Sequence, residues 1–441
     1  AHRLDEAVKG MFIPGRLFED LGFRYIGPVD GHNTDLLIDT LSTVGELKGP
    51  TLVHVITRKG KGYEIAEEKA DVWHGAKPFD IATGEFKKGK KAPPTYTNIF
   101  AETLIELAKE DEKIIGITAA MPDGTGMSKF GKVFPDRTFD VGMAEQHGVG
   151  FAGALSIEGF HPVIAIYSTF MQRAYDQIVH DIVGMNLPVT FAMDRAGIVG
   201  EDGATHQGLF DIAFMRTLPN MVVMAPKDEN ELRHMLKTSI YHPGPCSLRY
   251  PRGSGLGVEF DQEIKELEIG KGEVMKEGTD LAIIAFGSMV DSSMKTAVLL
   301  EEKGLSVAVI NARFAKPIDK DLIKEYAKKT GCLVTTEEHS VQGGFGSAVL
   351  EALQDFDENI PLKVKCIGVP NIVVEHGALN LIKRDLKLDP EGMSETIYSF
   401  VSGEKKVTSH DKGSKSSSGN GNTNLEKNIK NPIIIREPIN G

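Results

Sequence analysis

Short apolar segments alternate with longer helical segments through most of this 441-residue chain, and this alternation restricts the fold more than any other feature. Residues 162–166 and 188–193 have the length and apolar content of buried strands. Residues 170–185, between them, carry an apolar stripe at Ala174, Ile178, Ile182 and Val183, which is typical of a helix packed on a sheet. Strands that alternate with helices form parallel sheets covered on both faces. The sequence therefore predicts an α/β fold of consecutive doubly wound domains with mainly parallel sheets.

The same alternation divides the chain into regions. A first region, residues 1–81, contains a predicted helix at 33–47 and a predicted buried strand at 50–57. Residues 82–95 are charged, contain Gly and Pro, and are interpreted as a linker. Two domains are predicted at 96–255 and 256–402, followed by a tail, 403–441, that we expect to be disordered. The predicted strands of the two domains are 113–117, 137–140, 162–166, 188–193, 221–224, 247–250, 280–286, 306–311 and 332–336.

Composition excludes some classes of function. The net charge of −12 argues against binding to nucleic acid or to an anionic membrane surface. No apolar run in the sequence is long enough to cross a bilayer, and residues 1–9 do not resemble a secretory signal. Cys246, Cys332 and Cys366 are widely spaced beside apolar strands, so we expect buried thiols rather than metal ligands. These features predict a cytoplasmic protein, with a plastid location left open.

Three polar clusters each contain or follow the end of a predicted strand: residues 138–147, 164–173 and 191–208. Ligands of an open parallel sheet bind beyond the carboxyl ends of its strands, so we expect these clusters to form one site. The residues singled out are Glu145, Tyr167, Phe170, Arg173, Arg195, Asp202, His206 and, after the strand 247–250, Arg252. The Gly-rich segment 339–347 (HSVQGGFGS) is interpreted as tight packing of a helix on a sheet, although His339 could approach the same crevice.

Each of these residues also has a simpler interpretation. Glu145 would suit the start of a helix, where the dipole favours an acid. Phe170 alone would more often be a core residue, and an isolated arginine would more often lie on the surface. The functional interpretation is favoured because the clusters lie on one side of the sheet. There, an Asp and a His four residues apart, Asp202 and His206, suit proton transfer near neutral pH, and arginines suit a phosphate or carboxylate.

Beyond these patterns, the chain resembles the thiamine diphosphate-dependent transketolase superfamily and, within it, the 1-deoxy-D-xylulose-5-phosphate synthase family. The resemblance rests on the strings FEDLGFRYIGPVDGHN, TRKGKGYE, FPDRTFDVGMAEQH, YSTFMQRAYDQ, DRAGIVGEDGATHQG and RYPRG, which occur in family order. It implies a transketolase-like fold. Residues 1–81 would be the remnant of the first thiamine diphosphate-binding domain, 96–255 the pyrimidine-binding domain and 256–402 the C-terminal domain.

The resemblance also implies roles for individual residues. Glu145 would hydrogen-bond the aminopyrimidine ring of thiamine diphosphate, and Phe170 would stack on that ring. The implied cofactor-binding residues are Tyr63, Glu145 and Phe170. The implied catalytic residues are Glu145, His206, Asp202 and His74. The implied substrate-binding residues, which would hold glyceraldehyde 3-phosphate or its phosphate, are Tyr167, Arg173, Arg195 and Arg252.

The implied reaction is a transfer of a two-carbon unit. Pyruvate would lose CO2, and the remaining two carbons would join D-glyceraldehyde 3-phosphate to give 1-deoxy-D-xylulose 5-phosphate. That product stands at the head of the non-mevalonate route to isoprenoids and of thiamine and pyridoxal synthesis. The family also implies a homodimer, with no nucleic acid or membrane partner.

One family motif is missing from the sequence. The superfamily holds the diphosphate and Mg²⁺ with a G-D-G…N segment, and this sequence contains no G-D-G. We therefore assign no metal ligand, expect the Mg²⁺ ligands in an N-terminal part that this sequence lacks, and do not expect these 441 residues to be active alone. Two alternatives stay open: a β-type subunit of a 2-oxoacid dehydrogenase, whose partner supplies the diphosphate site, or a non-catalytic dimerisation module.

Overall fold

A computed structural model describes residues 15–69, 73, 76, 78–87, 92–356 and 360–403. Its internal contacts divide the chain into two compact units, Ala1–Ala92 and Pro93–Gly441. His74 and residues 404–441 of the predicted tail lie outside the described residues.

The first unit contains two parallel strands, β1 (Arg24–Asp30) and β2 (Thr51–Ile56). Its described helices are Arg16–Asp20, Thr34–Gly45 and Glu64–Glu68. Helix Thr34–Gly45 starts where predicted, because the side chain of Asn33 accepts a hydrogen bond from the backbone N–H of Leu36. The prediction that strand 50–57 is buried is wrong. β2 is half-buried to exposed, since the described part of this unit offers it one neighbouring strand.

The second unit contains the other strands and two larger sheets. The strands are β3 (Ile114–Thr118), β4 (Thr138–Asp140), β5 (His161–Tyr167), β6 (Thr190–Asp194), β7 (Val222–Met224), β8 (Cys246–Arg249), β9 (Glu273–Lys276), β10 (Leu281–Ala285), β11 (Val307–Asn311), β12 (Phe314–Lys316), β13 (Cys332–Ser340) and β14 (Lys363–Val369). The seven-stranded sheet has the order β12-β7-β8-β6-β5-β3-β4, and the five-stranded sheet has the order β14-β13-β10-β11-β9. Among the described strands of these two sheets, only β12 and β9, at the sheet edges, run antiparallel to their neighbours. The predicted α/β fold with mainly parallel sheets is confirmed.

The winding of the seven-stranded sheet reverses between β3 and β5. From β3 the chain passes to β4 on one side, and then returns to β5 on the other side. In open α/β sheets, the crevice beyond the carboxyl ends of the strands at such a reversal is where ligands bind. The segments that follow β4 and β5 carry two of the predicted polar clusters.

Helices cover the faces of both sheets. In the second unit they are Tyr96–Glu110, Met127–Val133, Glu145–Ile157, Ser168–Met171, Tyr175–Gln177, Asp211–Arg216, Glu229–Tyr241, Met289–Glu301, Lys320–Thr330, Phe345–Gln354, Leu379–Asp385 and Pro390–Ser402. The prediction of one helix over 170–185 is wrong in form. A 3₁₀ turn at Gln172–Ala174 and a π-helical stretch at Ile178–Val183 interrupt it, although its predicted apolar stripe is buried. A hydrophobic period does not distinguish these turn types, and π-helical turns often occur at functional sites.

One hydrophobic core joins the two sheets of the second unit. It contains Ile164 and Phe191 of the seven-stranded sheet together with Ile284 and Leu333 of the five-stranded sheet. Burial of the cysteines is confirmed for Cys246 and Cys332, but Cys366, on the edge strand β14, is only half-buried. Among the described helices, none has the length and hydropathy to cross a membrane.

Candidate active site

The predicted polar residues of the second unit lie where strands β4, β5, β6 and β8 end. Tyr167 is the last residue of β5, and Arg195 directly follows β6. Arg252 lies three residues after β8, and Glu145 starts the helix that follows β4. The parallel strands therefore bring residues more than 100 positions apart to one edge of the sheet.

Glu145 is the first residue of helix Glu145–Ile157, as predicted, and only 3% of its surface is exposed. Arg173 Nη1 lies 3.2 Å from Glu145 Oε2, in an ion pair whose arginine is about half exposed. Within the described residues, Oε2 nevertheless accepts no hydrogen bond of good geometry. Small residues behind Glu145 allow its helix to pack closely, since a Cβ at Gly153 would lie 2.8 Å from Ile182. A buried carboxylate oxygen without a donor is suited to receive one from a ligand.

The aromatic rings of Tyr167, Phe170 and His206 form a continuous series of contacts. The ring of Tyr167 stacks on that of Phe170 at 5.9 Å, and Phe170 meets the ring of His206 edge-on at 5.2 Å. His206 Nδ1 lies 3.1 Å from the hydroxyl of Thr205. Phe170 is half-buried at the edge of the core, so part of its ring is accessible. Burial raises the pKa of the Tyr167 phenol, while Arg195 opposes that rise.

Arg195 is held firmly at the base of a long loop. We call residues 195–208 the site loop. The Arg195 guanidinium lies over the Tyr167 ring at 4.2 Å, and its Nη1 donates to the carbonyl of Gly124 and to Asp194 Oδ1. Asp194 is buried and also accepts from the hydroxyl of Thr97 at 2.7 Å. Burial raises the pKa of the Asp194 carboxyl, and Arg195 and Thr97 act against that rise.

Arg195 also adopts a backbone conformation that few residues with a side chain adopt, with φ of +57°. Such a conformation persists only where its surroundings stabilise it, and the hydrogen bond from the Arg195 N–H to Asp194 Oδ1, 2.7 Å long, is one such contact. In the described part of the chain, Nε of Arg195 is buried without a hydrogen-bond partner. A fixed guanidinium with one N–H unused is a ready donor to an anion.

Asp202 lies between the two arginines of the site. Its carboxylate is 3.8 Å from Arg195 Nε and 3.1 Å from Arg252 Nε. Arg252 also pairs with Glu201 at 2.9 Å. These contacts place Asp202, Arg195 and Arg252 together, with the site loop supplying the acids. Arg173 is separate from this group and lies with Glu145.

The predicted cofactor residue Tyr63 belongs to the first unit. Its hydroxyl donates to the carbonyl of Ile81 at 2.9 Å, and its ring packs against Trp73 and Phe79. Phe86, inside the predicted linker, packs against the same Trp73 ring. The predicted catalytic residue His74 lies outside the described residues, so the roles of Tyr63 and His74 stay predictions.

The turn after β13 packs a helix on the sheet, as its sequence predicts. The buried carboxylate of Glu337 accepts the N–H groups of Phe345 and Gly346 at the start of helix Phe345–Gln354. A Cβ at Gly346 would lie 2.8 Å from Cys366 Sγ, so a larger residue would not fit there. His339 is buried and donates from Nδ1 to the carbonyl of Ser340, and burial lowers its pKa to about 4. These contacts indicate a packing role for His339.

Sequence reasoning missed the residues that hold Arg195. Asp194 carried a signal, because an acid at the end of an otherwise apolar strand is unusual. Thr97 and Gly124 carried none, since they lie 98 and 71 positions from Arg195 in the chain. Among the described residues, no group of three or more His, Cys, Asp or Glu side chains is arranged to hold a metal ion.

Three family models match the chain. Residues 92–255 match the transketolase pyrimidine-binding domain, residues 270–393 match the transketolase C-terminal domain, and residues 1–57 match the 1-deoxy-D-xylulose-5-phosphate synthase model. Together they extend over most of the described residues.

Curated relatives are named 1-deoxy-D-xylulose-5-phosphate synthase. The protein from Geobacter sulfurreducens is 53% identical over 91% of this chain and 63% of its own length. The protein from Thermosynechococcus vestitus is 55% identical over 90% of this chain and 62% of its own length. The chain thus spans less than two thirds of the length of the curated relatives that it matches.

Solved transketolases share the fold. A structure titled "Split gene transketolase, inactive beta4 tetramer" has a TM-score of 0.62 and 35% identity, and the match covers 70% of this chain and 99% of that one. Transketolase from Campylobacter jejuni has a TM-score of 0.58 at 16% identity, over 88% of this chain and 70% of that one, which shows the fold alone.

The chain belongs to the transketolase superfamily, because two transketolase domain models match it and a solved transketolase is 35% identical over 99% of that protein's length. Within that superfamily, the chain is a member of the 1-deoxy-D-xylulose-5-phosphate synthase family.

Proposed function

We propose that this chain forms the aldehyde-binding and aminopyrimidine-binding part of an enzyme that makes 1-deoxy-D-xylulose 5-phosphate. Pyruvate loses CO2 as its bond between carboxylate and ketone carbon breaks. The ketone carbon then bonds to the aldehyde carbon of D-glyceraldehyde 3-phosphate, whose oxygen takes up one proton. The observation that carries this proposal is the convergence of a buried acid, a half-buried aromatic and two arginines at the carboxyl ends of one sheet.

The residues present fit one end of thiamine diphosphate. Glu145 offers a buried oxygen without a hydrogen-bond donor in the described part of the chain, which suits the donor groups of an aminopyrimidine ring. Phe170 offers a half-buried ring on which a flat heterocycle stacks. When bound, thiamine diphosphate supplies the carbanion chemistry that pyruvate decarboxylation needs. Mg²⁺ and the diphosphate end of the cofactor would need ligands outside this chain, because its sequence lacks the G-D-G motif.

The phosphate of the aldehyde substrate suits the two arginines. Arg195 holds a fixed orientation through Asp194 and Gly124, and Arg252 lies on the other side of Asp202. A phosphate dianion competes for these guanidinium groups with the carboxylates of Glu201 and Asp202. Tyr167, under the Arg195 guanidinium, and Arg173, beside Glu145, complete the proposed substrate-binding set.

Protons reach the reacting atoms from the site loop in this proposal. The imidazole of His206, whose ring contacts that of Phe170, can give or take a proton beside the proposed cofactor ring, and Asp202 lies on the same loop. His74 and Tyr63 would act from the first unit. We also propose that the enzyme is a cytoplasmic homodimer, by likeness to the family.

Release of CO2 from pyruvate tests the proposal. The assay contains thiamine diphosphate and Mg²⁺, with and without D-glyceraldehyde 3-phosphate, and uses this chain alone and this chain mixed with the part of the Geobacter sulfurreducens relative that it does not span. Aldehyde-dependent release from the mixture supports the proposal. Release that needs a lipoyl acceptor instead supports the dehydrogenase subunit, and no release from folded, mixed proteins supports the non-catalytic module.

A further inference from the structure

The two ends of the site loop meet at a narrow neck, and the C-terminal half of the chain contacts this neck. Gly197 and Gly208 exchange two backbone hydrogen bonds of 2.7 and 2.9 Å, which bring the two ends of the loop together. Directly above this neck lies the carboxylate of Glu338, near the end of β13 in the other sheet. Its Oε1 accepts the backbone N–H of Ile198 at 2.8 Å.

The second oxygen of Glu338, Oε2, is held by residues of the C-terminal half. Oε2 accepts from the hydroxyl of Ser288 at 2.9 Å and from the ammonium of Lys383 at 2.7 Å. Only 2% of Glu338 is exposed. Burial alone would raise the pKa of this carboxyl, but Lys383 and the hydrogen bonds lower it below its ordinary value. The carboxylate is therefore ionised at neutral pH, and a charged acceptor makes a stronger hydrogen bond to Ile198 than a neutral one would.

Glu338 lies where a doubly wound sheet often binds a ligand. In the five-stranded sheet, the winding reverses between β10 and β13. Ser288 lies three residues after β10, and Glu338 lies two residues before the end of β13. In this chain, the neck of the site loop lies at that position, where a ligand would otherwise bind. The fit is close, because a Cβ at Gly197 would lie 2.8 Å from Glu338 Oε1, and Gly197 has a φ of +91°.

A second contact links the same two parts of the chain. The buried guanidinium of Arg249 donates from Nη2 to the carbonyl of Glu338 at 3.2 Å and to that of Gly208 at 3.4 Å. The C-terminal half thus holds the neck through the Glu338 carboxylate and, by way of Arg249, through the Glu338 carbonyl; farther along the loop, Gln207 donates to the carbonyl of Glu375 and Gly200 accepts from the N–H of Gly377, both at 3.4 Å. Asp202 and His206 lie on the loop beyond this neck, and Arg195 lies two residues before it.

We infer that Glu338 is a positioning residue for the site: through Ile198 it fixes the neck of the site loop, and so the placement of Asp202 and His206, which lie beyond that neck. The C-terminal domain then contributes to the orientation of the substrate-binding loop as well as to packing. The consequence for catalysis rests on the proposed function, whereas the anchoring of the loop does not.

Hydrogen–deuterium exchange on the whole chain tests the anchoring. Glu338→Gln removes the charge and puts an amide beside Lys383. The matched control is Glu337→Gln, because Glu337 is equally buried on the same strand but its described hydrogen bonds go to helix Phe345–Gln354. We expect Glu338→Gln to speed exchange in residues 196–208 about tenfold, the factor for one lost charge-assisted hydrogen bond, and Glu337→Gln to leave that segment unchanged. Equal exchange of the loop in both variants overturns the inference.

Two further measurements separate positioning from loss of folding. Lys383→Met removes the partner of Glu338 from a partly exposed position, and should speed loop exchange by a smaller factor even if Glu338→Gln does not fold. In a preparation that releases CO2, Glu338→Gln should raise the KM for D-glyceraldehyde 3-phosphate about tenfold while the KM for pyruvate stays near its original value. A proportional fall in active protein with neither KM changed would overturn positioning. If the unaltered protein releases no CO2, the proposed function fails, and the exchange result still decides the anchoring.

Discussion

At the scale of single residues, the site depends on buried charged side chains whose orientation is fixed by their neighbours. Asp194 accepts hydrogen bonds from Thr97 and Arg195, so the guanidinium beside it has one available orientation. Glu145 differs from Asp194. Its Oε2 lies 3.2 Å from Arg173 Nη1 but accepts no hydrogen bond of good geometry within the described structure. A buried carboxylate that lacks a hydrogen-bond donor within the protein can accept one from a ligand.

Replacing Glu145 tests its role directly. Glu145→Gln keeps the size of the side chain but removes the charge that pairs with Arg173. In the mixture with the part of the Geobacter sulfurreducens relative that this chain does not span, we expect the rate of CO2 release to fall at least about 100-fold, in the range for loss of a group that directs proton transfer, with thermal stability little changed. The control is Glu158→Gln, at the exposed end of the same helix, which should keep its activity. An active Glu145→Gln protein would remove Glu145 from the mechanism.

His339 makes stability depend on pH in a predictable direction. Burial lowers its pKa to about 4 from an ordinary value of 6.5, while the nearby Asp211 and Arg249 act in opposite directions. Between these values the unfolded chain binds a proton that the folded chain does not bind. The free energy of unfolding should therefore fall as the pH falls from 6.5 towards 4, by at most about 1.4 kcal/mol per pH unit from this residue, and should be unaffected above 6.5.

Urea unfolding at several pH values measures this effect. His339→Gln should weaken the dependence of stability on pH in that window, whatever its stability at neutral pH. His180→Gln, at a side chain that is 71% exposed, should leave the dependence as it is. The same pH dependence in His339→Gln as in the unaltered protein would contradict the assignment.

At the scale of helices and strands, the sequence predicted the order and type of the elements well. Strands β5 and β6 lie within two residues of their predicted ends, because continuous apolar runs between turns leave few alternatives. The broken helix after Tyr167 and the exposure of β2 were not predictable. Turn type and strand burial depend on neighbours distant in the chain, and no local pattern records them. For the same reason, the sequence located the site at the strand ends but not the contacts of Arg195.

Gly208 shows how closely the elements approach at the loop neck. A Cβ there would lie 2.2 Å from the carbonyl oxygen of Arg195 and 2.8 Å from Ser168 Oγ. Gly208→Ala should therefore destabilise the protein by about 1–3 kcal/mol, as overpacking does, and should also speed exchange in the site loop. Gly150→Ala is the control, because its added methyl would meet an Asp181 oxygen only at 3.8 Å, inside a helix that favours Ala. Equal unfolding midpoints for the two variants would contradict the tight neck.

At the scale of the whole molecule, the two units differ in how they bury apolar surface. In the second unit, strands β3, β6, β10 and β11 are buried along their whole length. In the first unit, no residue of helix Thr34–Gly45 is buried, and parallel strands are normally covered on both faces. Apolar residues that are exposed in this unit include Leu17, Leu21, Leu36, Ile38 and Leu41.

Hydrogen exchange on the isolated chain should reveal this difference. Amides of β1 and β2 should exchange at least about 100-fold faster than those of β5 and β6, because few buried contacts stabilise the first unit. Addition of the unmatched part of a full-length relative should slow exchange in β1 and β2 without changing β5 and β6. Similar protection of all four strands in the isolated chain would contradict the account.

If this chain supplies the aldehyde side of a synthase site, the identity of the product will show it. This chain would be mixed with the part of a relative that it does not span. The mixture would receive thiamine diphosphate, Mg²⁺, D-glyceraldehyde 3-phosphate and pyruvate labelled with carbon-13 at its ketone carbon. We expect NMR to find the label in the ketone carbon of 1-deoxy-D-xylulose 5-phosphate, and we expect Glu145→Gln to abolish this signal. Label found only in acetaldehyde, acetoin or unreacted pyruvate would rule out the proposed synthase site.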